Sequence, residues 1–326
     1  MSLDLALALC VSSMSLHDKS LHDCRILVAG NSVLDVLVRD ASGAQGVAQD
    51  AWEGNVQLLS RPVEAVLGGG GASAVSMLGR LGQSVALSSN LGCDAWATVL
   101  GGWFREASVE VLGSGAGATG VNVIHLTPEG RRQSSYFAGD RVDWRRKPAA
   151  FAPEWFFAPG YGAVGPDDGE SLLDVFSRFR ATGTQVMFDP SPWFANRIAS
   201  ADMHALWGQV SCLVGTEDEL MFWMPESSIE KLATRLLECG PESVVIKRGA
   251  GGASYAAAGG QCGHVPVEEV EHSNTIGAGD TFNGRLLFGL SQRESLPAAV
   301  VSATTLATRA VRNSRGVLGR SETLRT

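Results

Sequence analysis

The chain contains no G-x-x-x-x-G-K-[ST] string, no H-E-x-x-H and no G-x-S-x-G. These absences exclude a Walker-type nucleotide loop, a zincin site and a hydrolase nucleophile elbow. Cationic charge is also scarce: 26 Lys and Arg stand against 34 Asp and Glu, for a formal net charge of −8. No basic stripe is present to track a polyanion, so nucleic acid is not an expected partner. No apolar run reaches the length of a transmembrane helix, and no membrane partner is expected. The six cysteines, at 10, 24, 93, 212, 239 and 262, form no C-x-x-C pair and no zinc spacing. A reduced, cytoplasmic setting is the simplest account.

At 326 residues and 45% hydrophobic content, the chain suffices for one large α/β domain with at most a small appendage. Residues 1–23 read as an extension outside the fold. Their LALALC core has no basic n-region, follows Asp4 and puts Leu9 before Cys10, which argues against a signal peptide, and Met14 offers a second start site. Residues 25–30, RILVAG, read as a first buried strand ending in glycine. From Trp155 onward, WFFAPG, QVMFDP, CLVG and SVVIKRG alternate with helical stretches near 172–179 and 229–237. Such alternation predicts a parallel sheet with helices on both faces. The string GAGATG at 115–120 satisfies G-x-G-x-x-G, but it precedes a strand and opens no helix, so it is not a dinucleotide fingerprint.

The chemistry converges on residues 273–290, SNTIGAGDTFNGRLLFGL. The turn Gly277-Ala278-Gly279 leads into a helix with Phe282, Leu286, Leu287 and Leu290 on one face. A helix beginning at a glycine turn offers unpaired N–H groups and the positive end of its dipole to an anion. Asp280 beside that nest is either a general base for a hydroxyl or the N-cap of the helix. Asp35, past the first strand, is either a ligand group or a turn Asp. The glycines 68–71 before a helical pattern permit either close ligand approach or tight helix packing. Residues 216–219, TEDE, read as an acidic helix start, and Lys247-Arg248 as a basic strand end.

The ten residues TIGAGDTFNG, 275–284, resemble the C-terminal signature of the PfkB, or ribokinase-like, carbohydrate kinases. The resemblance extends over roughly residues 24–326 and implies a single ribokinase-like α/β domain. That domain has a central, mostly parallel sheet flanked by helices on both faces and a small β-sheet lid, with lid strands from about 36–66 and 119–140. It implies ATP-dependent phosphorylation of a hydroxyl of a sugar or sugar derivative. Asp280 is then the base, and the backbone of Gly277, Ala278 and Gly279 the anion hole. Asp35, Gly69, Gly70 and Ser73 fall to the substrate site, with Ser73 in place of the family's Asn. Residues 188–192, FDPSP, look like the family's D-P-x-x motif. Thr216, Lys247, Gly249 and Asn283 fall to the nucleotide, with Thr216 in place of another Asn, and Glu219 to Mg²⁺. Relatives often carry Asp where this chain has Asn274, and in some of them that carboxylate helps hold potassium. Lid strands in the family often pair between subunits, which implies a homodimer. Two alternatives stay open: a nucleoside kinase of the same fold, since residues 31–35 look somewhat like the G-N-x-x-L-D string of adenosine kinases, and a catalytically weak metabolite-binding relative.

Overall fold

The computed structural model describes residues 24–39, 59, 61–113, 115–127, 132–146, 151–195, 197–268, 270 and 275–313. The expected extension over 1–23, much of the stretch between 40 and 60, and Asn274 lie outside the described residues. The described strands form a nine-stranded sheet and a separate four-stranded one.

The large sheet is built from β1 (Ile26–Ala29), β4 (Val85–Ser88), β5 (Val109–Val111), β8 (Trp155–Pro159), β9 (Gln185–Asp189), β10 (Cys212–Thr216), β11 (Ser243–Lys247), β12 (Ala253–Ala257) and β13 (Cys262–Val265). Its order is β13-β12-β11-β10-β9-β8-β1-β4-β5. Every pairing from β5 to β11 is parallel, whereas β12 and β13 close one edge antiparallel. The strands are continuous apolar runs because successive residues enter opposite cores. Phe156, Phe188, Leu213, Val244 and Ile246 pack on one face, and Phe157, Met187, Val214 and Val245 on the other.

Helices cover both faces. Leu172 and Phe176 of α3 (Asp168–Ala181) and Leu232 and Leu236 of α6 (Ile229–Glu238) fill the first core. The second takes Val75 and Leu78 of α1 (Gly70–Arg80), Leu100 and Phe104 of α2 (Ala95–Glu106), Leu286 and Leu287 of α7 (Ala278–Ser291), and Val300 of α8 (Leu296–Asn313). Two shorter helices, α4 (Ser200–Trp207) and α5 (Glu217–Trp223), follow β9 and β10. The loop that carries GAGATG is a structural element: Asp94, the N-cap of α2, accepts hydrogen bonds from the backbone N–H and the hydroxyl of Thr119, each at 2.8 Å.

The lid sheet has the order β3-β2-β6-β7, from β2 (Val33–Arg39), β3 (Glu64–Gly68), β6 (Gly120–Leu126) and β7 (Arg132–Phe137). It begins at Val33, three residues before the expected boundary, so Asp35 lies inside a lid strand and not in a turn. The reason is local: Gly30-Asn31-Ser32 form the crossing between sheets, and the apolar alternation resumes at Val33. Asn90, just beyond β4, joins the two sheets. Its carbonyl oxygen accepts from the Ser32 N–H at 2.9 Å, and its amide donates to the carbonyls of Ala138 and Asp140 at 3.0 and 2.9 Å.

Candidate active site

A cleft of about 500 Å³ opens between the lid and the C-terminal ends of the parallel strands, where α/β sheets receive ligands. Its wall includes Asn31, Asp35, Gly69, Gly70, Asn122, Arg132, Tyr136, Tyr161, Trp193, Gly277, Gly279 and Asp280. Asp35 and Asp280, separated by 245 positions in the sequence, thus share one cavity.

At its floor, α7 starts from Gly277, whose φ of 73° is the left-handed conformation that glycine adopts without strain. Gly277 occupies the N-cap position, so Asp280 is the third residue of the helix and not its cap. The capping alternative for Asp280 therefore falls. Thr281 reinforces the turn, its hydroxyl donating to the Gly277 carbonyl at 2.6 Å. Of the three backbone positions expected to form an anion hole, Ala278 has its N–H taken by the Thr275 carbonyl at 3.1 Å. Gly277 and Gly279 remain on the cleft wall, and a side chain added at Gly279 would meet nothing within 4 Å.

The glycine run 68–71 combines tight helix packing with positions on the cleft wall. Gly71 faces Gly30 backbone to backbone, so α1 packs directly on the end of β1. Gly68 leaves room for the Asp35 carboxylate, while Gly69, at φ 88°, and Gly70 line the cleft. Gly69 has no side chain with which to cap α1, and Asn31 supplies the cap from a distance: its Oδ1 accepts from the Gly70 N–H at 2.9 Å. The expected substrate contact from Ser73 is not met. Ser73 lies one helical turn inside α1, is 1% exposed and is absent from the cleft wall, because the helix turns that position toward the core.

Asp35 is 9% exposed and sits directly across the β2–β6 pair from Asn122, whose amide donates to Oδ1 at 3.1 Å. Burial pushes its carboxyl up to about 6, with the Asn122 hydrogen bond opposing and the charge of Asp280 adding to the rise. Above it, Tyr136 of the lid meets Trp193 of the main body with ring centroids 5.6 Å apart. Trp193 is 46% exposed and rides on a single 3₁₀ turn, Pro192–Phe194, capped by Ser191.

The residues expected to meet the nucleotide cluster at the ends of β9, β10 and β11. Thr216 caps α5 in a reciprocal box with Glu219: Oγ1 accepts from the Glu219 N–H at 3.3 Å, and Glu219 Oε2 accepts from the Thr216 N–H at 2.8 Å. Glu219 is not solvated; it is 8% exposed and its Oε1 accepts from the Tyr161 hydroxyl at 2.8 Å. Gly249, in the turn after β11, stands in open space at φ 55°. Lys247 and Asn283 face inward instead of toward a nucleotide. The Lys247 ammonium donates to Asp189 Oδ2 at 2.7 Å and to Asn283 Oδ1 at 3.4 Å, and the Asn283 amide donates to the same Asp189 oxygen at 2.5 Å. Burial alone would lower the Lys247 pKa; Asp189, Glu219 and Asp280 outweigh it and hold the group charged.

Asn31, Asn122, Tyr136, Tyr161 and Trp193 were not singled out as site residues from the sequence, and Asp189 entered only as part of the D-P-x-x string. Two of them carried a signal: Asn31 follows a strand end, and Asn122 is a polar residue at a buried position of a strand otherwise fit for packing.

A parallel sheet covered by helices, with a β-lid over a cleft that holds a carboxylate at a glycine-initiated helix, defines the ribokinase-like class. Residues 30–322 match the family described as pfkB family carbohydrate kinase, and the chain belongs to that family of kinases. It is 30% identical over 237 residues to the aminoimidazole riboside kinase of Salmonella typhimurium, covering 69% of this chain and 74% of that one. It superposes on a ribokinase from Thermotoga maritima with a TM-score of 0.73 at 20% identity, covering 92% of this chain and 99% of that one. It also superposes on a chain from E. coli solved with ATP and Mg²⁺, with a TM-score of 0.71 at 19% identity, covering 92% and 98%.

Proposed function

We propose that the chain transfers the γ-phosphoryl group of ATP to a hydroxyl of a sugar or sugar derivative, with Asp280 as general base. The observation that carries this reading is the sharing of one cleft by Asp280 at the start of α7 and the Asp35–Asn122 pair. Asp35 accepts hydrogen bonds from acceptor hydroxyls, and a neutral polyol suits it where a triphosphate would be repelled. In the transfer, the acceptor hydroxyl gives its proton to Asp280 as its oxygen bonds to the γ-phosphorus. The bond from that phosphorus to the β–γ bridging oxygen breaks, and ADP leaves. The start of α7 at Gly277 and Gly279, on the cleft wall, faces the charge of the transferring group, a role suited to the positive end of a helix.

The donor set fits Mg²⁺ carried on the nucleotide better than a protein cage. Among the described residues no cluster of three or more His, Cys, Asp or Glu is disposed to hold a metal ion. Both oxygens of Glu219 already accept internal hydrogen bonds, so Glu219 would reach the ion through water. Mg²⁺ supplies charge neutralisation on the phosphates.

A second reading, a riboside carrying a heterocycle, is favoured by the exposed Trp193 beside Tyr136, which gives a planar group a surface to stack on. A homodimer paired along the lid sheet, where β3 and β7 are the outer described strands, and a cytoplasmic location complete the proposal. An ADP-release screen across sugars, sugar phosphates and nucleosides tests it. ADP release with a free sugar supports the first reading, release only with ribosides the second, and none in any class overturns both.

A further inference from the structure

The cluster formed by Asp189, Lys247 and Asn283 is left unused by the mechanism above, although it places a buried ion pair and a buried amide close to the start of α7. Asp189 is fully buried and ends β9, Lys247 ends β11, and Asn283 lies on α7 three residues after Asp280. Residues three apart on a helix share a face, so whatever fixes Asn283 fixes the turn that carries Asp280. Asn283 is fixed at both ends of its amide: Nδ2 donates to Asp189 Oδ2 at 2.5 Å and Oδ1 accepts from Lys247 at 3.4 Å. Asp189 Oδ1, by contrast, is buried with no hydrogen-bond partner in the structure. A carboxylate held in that condition costs stability. A packing role alone would be met by an apolar trio of similar volume at lower cost.

We propose that Asp189 is a positioning residue for phosphoryl transfer: through Asn283 it ties the first turn of α7, and with it Asp280, to the ends of β9 and β11. Lys247 is the counter-charge that keeps Asp189 ionised and its bond to Asn283 strong. The arrangement supplies what a base at a helix start lacks, namely an anchor on the rigid sheet. The backbone of α7 before Asp280 is a glycine turn and contributes little stiffness of its own. This inference rests on the reading of Asp280 as the base.

The test is a kinetic cycle on the full-length enzyme with its best acceptor, using Asn283→Ala, Asp189→Asn, the double variant and Asp280→Asn. Asn283→Ala keeps the Asp189–Lys247 pair and a good helix former, so it folds even if Asp189→Asn does not. Expected is a loss of roughly 10–100-fold in kcat for Asn283→Ala, the order of effect seen when a reacting group is misplaced by about 1 Å. The KM for ATP and the acceptor stay within about threefold of wild type, because neither ligand touches Asn283 in this reading. Asp189→Asn gives a similar loss, and the double variant no more than the larger single one, because both act through one contact. Wild-type kcat for Asn283→Ala, or a selective rise in the KM for ATP, overturns the proposal, as does simple multiplication of the two losses. If Asp280→Asn itself retains wild-type turnover, the base assignment fails and the positioning role falls with it. If only Asp280→Asn is impaired, the base assignment stands and the positioning role alone is refuted.

Discussion

Asp35 in the lid and Asp189 in the main sheet are both nearly buried carboxylates pushed upward by burial, yet they are provisioned differently. Asp189 has a cation and an amide on one oxygen, drawn from two other elements of the main body. Asp35 accepts from the Asn122 amide, and it stands on the cleft wall. In the proposed reading, the carboxylate with an internal counter-ion acts through the protein, while the one on the cleft wall receives ligand hydroxyls. The same contrast runs through their surroundings. Around Asp189, Lys247 bonds Asn283 and Thr216 bonds Glu219, whereas around Asp35 the wall mixes glycine backbone and aromatic rings with polar groups such as Asn31 and Arg132.

The largest effect that would sharpen this division lies at Asp280, which belongs to neither set. Asp280→Asn should fold, bind ATP and lose about 10²–10⁴-fold in turnover, as removal of a positioned base does. Near-normal turnover with the true acceptor would show that Asp280 plays no part in proton transfer. On the main-sheet side, Lys247→Met strands the buried Asp189 charge and should cost about 3–5 kcal/mol of stability. Chemical denaturation measures it, and most of the loss should return in the Asp189→Asn/Lys247→Met double variant. A single variant as stable as wild type would mean that the pair is not ionised. On the lid side, Asp35→Ala should raise the acceptor KM by one or two powers of ten. Each charge-assisted hydrogen bond lost is worth roughly 1.5–3 kcal/mol, while ATP binding by calorimetry should stay unchanged. The opposite pattern would reverse the orientation of the cleft.

Asp35 also has a pH signature. Its folded carboxyl titrates at about 6 against an ordinary 3.8, so between those values the folded state retains a proton that the unfolded chain has released. Stability therefore falls as pH rises through this window, by on the order of 3 kcal/mol once Asp35 is fully ionised. Asp35→Asn should remove that slope and melt higher than wild type at pH 8, though it binds acceptor poorly. Equal melting temperatures at pH 8 would contradict it. The smallest expected effect is that of potassium: with Asn274 in place of a carboxylate, exchanging sodium for potassium at fixed ionic strength should change the rate little, and strong activation would refute this.

The centre of the main sheet was legible because β1 and β8 to β11 are apolar runs, buried on both faces, and because glycine and proline punctuate several of their ends. The edge hairpin β12–β13 was not, since Ser254, Tyr255 and His264 give it only a half-buried, weakly alternating pattern. Asp280 and the glycines before it were legible as a local string. The Asp189–Lys247–Asn283 cluster was not, because its members are 58, 36 and 94 positions apart and meet only when parallel strands bring their ends to one edge. Trp193 was hidden for a related reason. Its exposure depends on the turn after β9, whose direction nothing in the sequence FDPSPW specifies.

Asn90 is a clasp at the root of the lid. One amide side chain grips the chain where it enters the lid at Ser32 and where it leaves at Ala138 and Asp140. The lid strands are thereby tied to the end of β4 at one point, from which they run outward. Asp35 and Tyr136 lie two or three residues away, roughly 7–10 Å along a strand at about 3.3 Å per residue. Arg132 lies six residues from Ala138, about twice as far along its strand, so Asp35 and Tyr136 stand close to this clasp and Arg132 far from it.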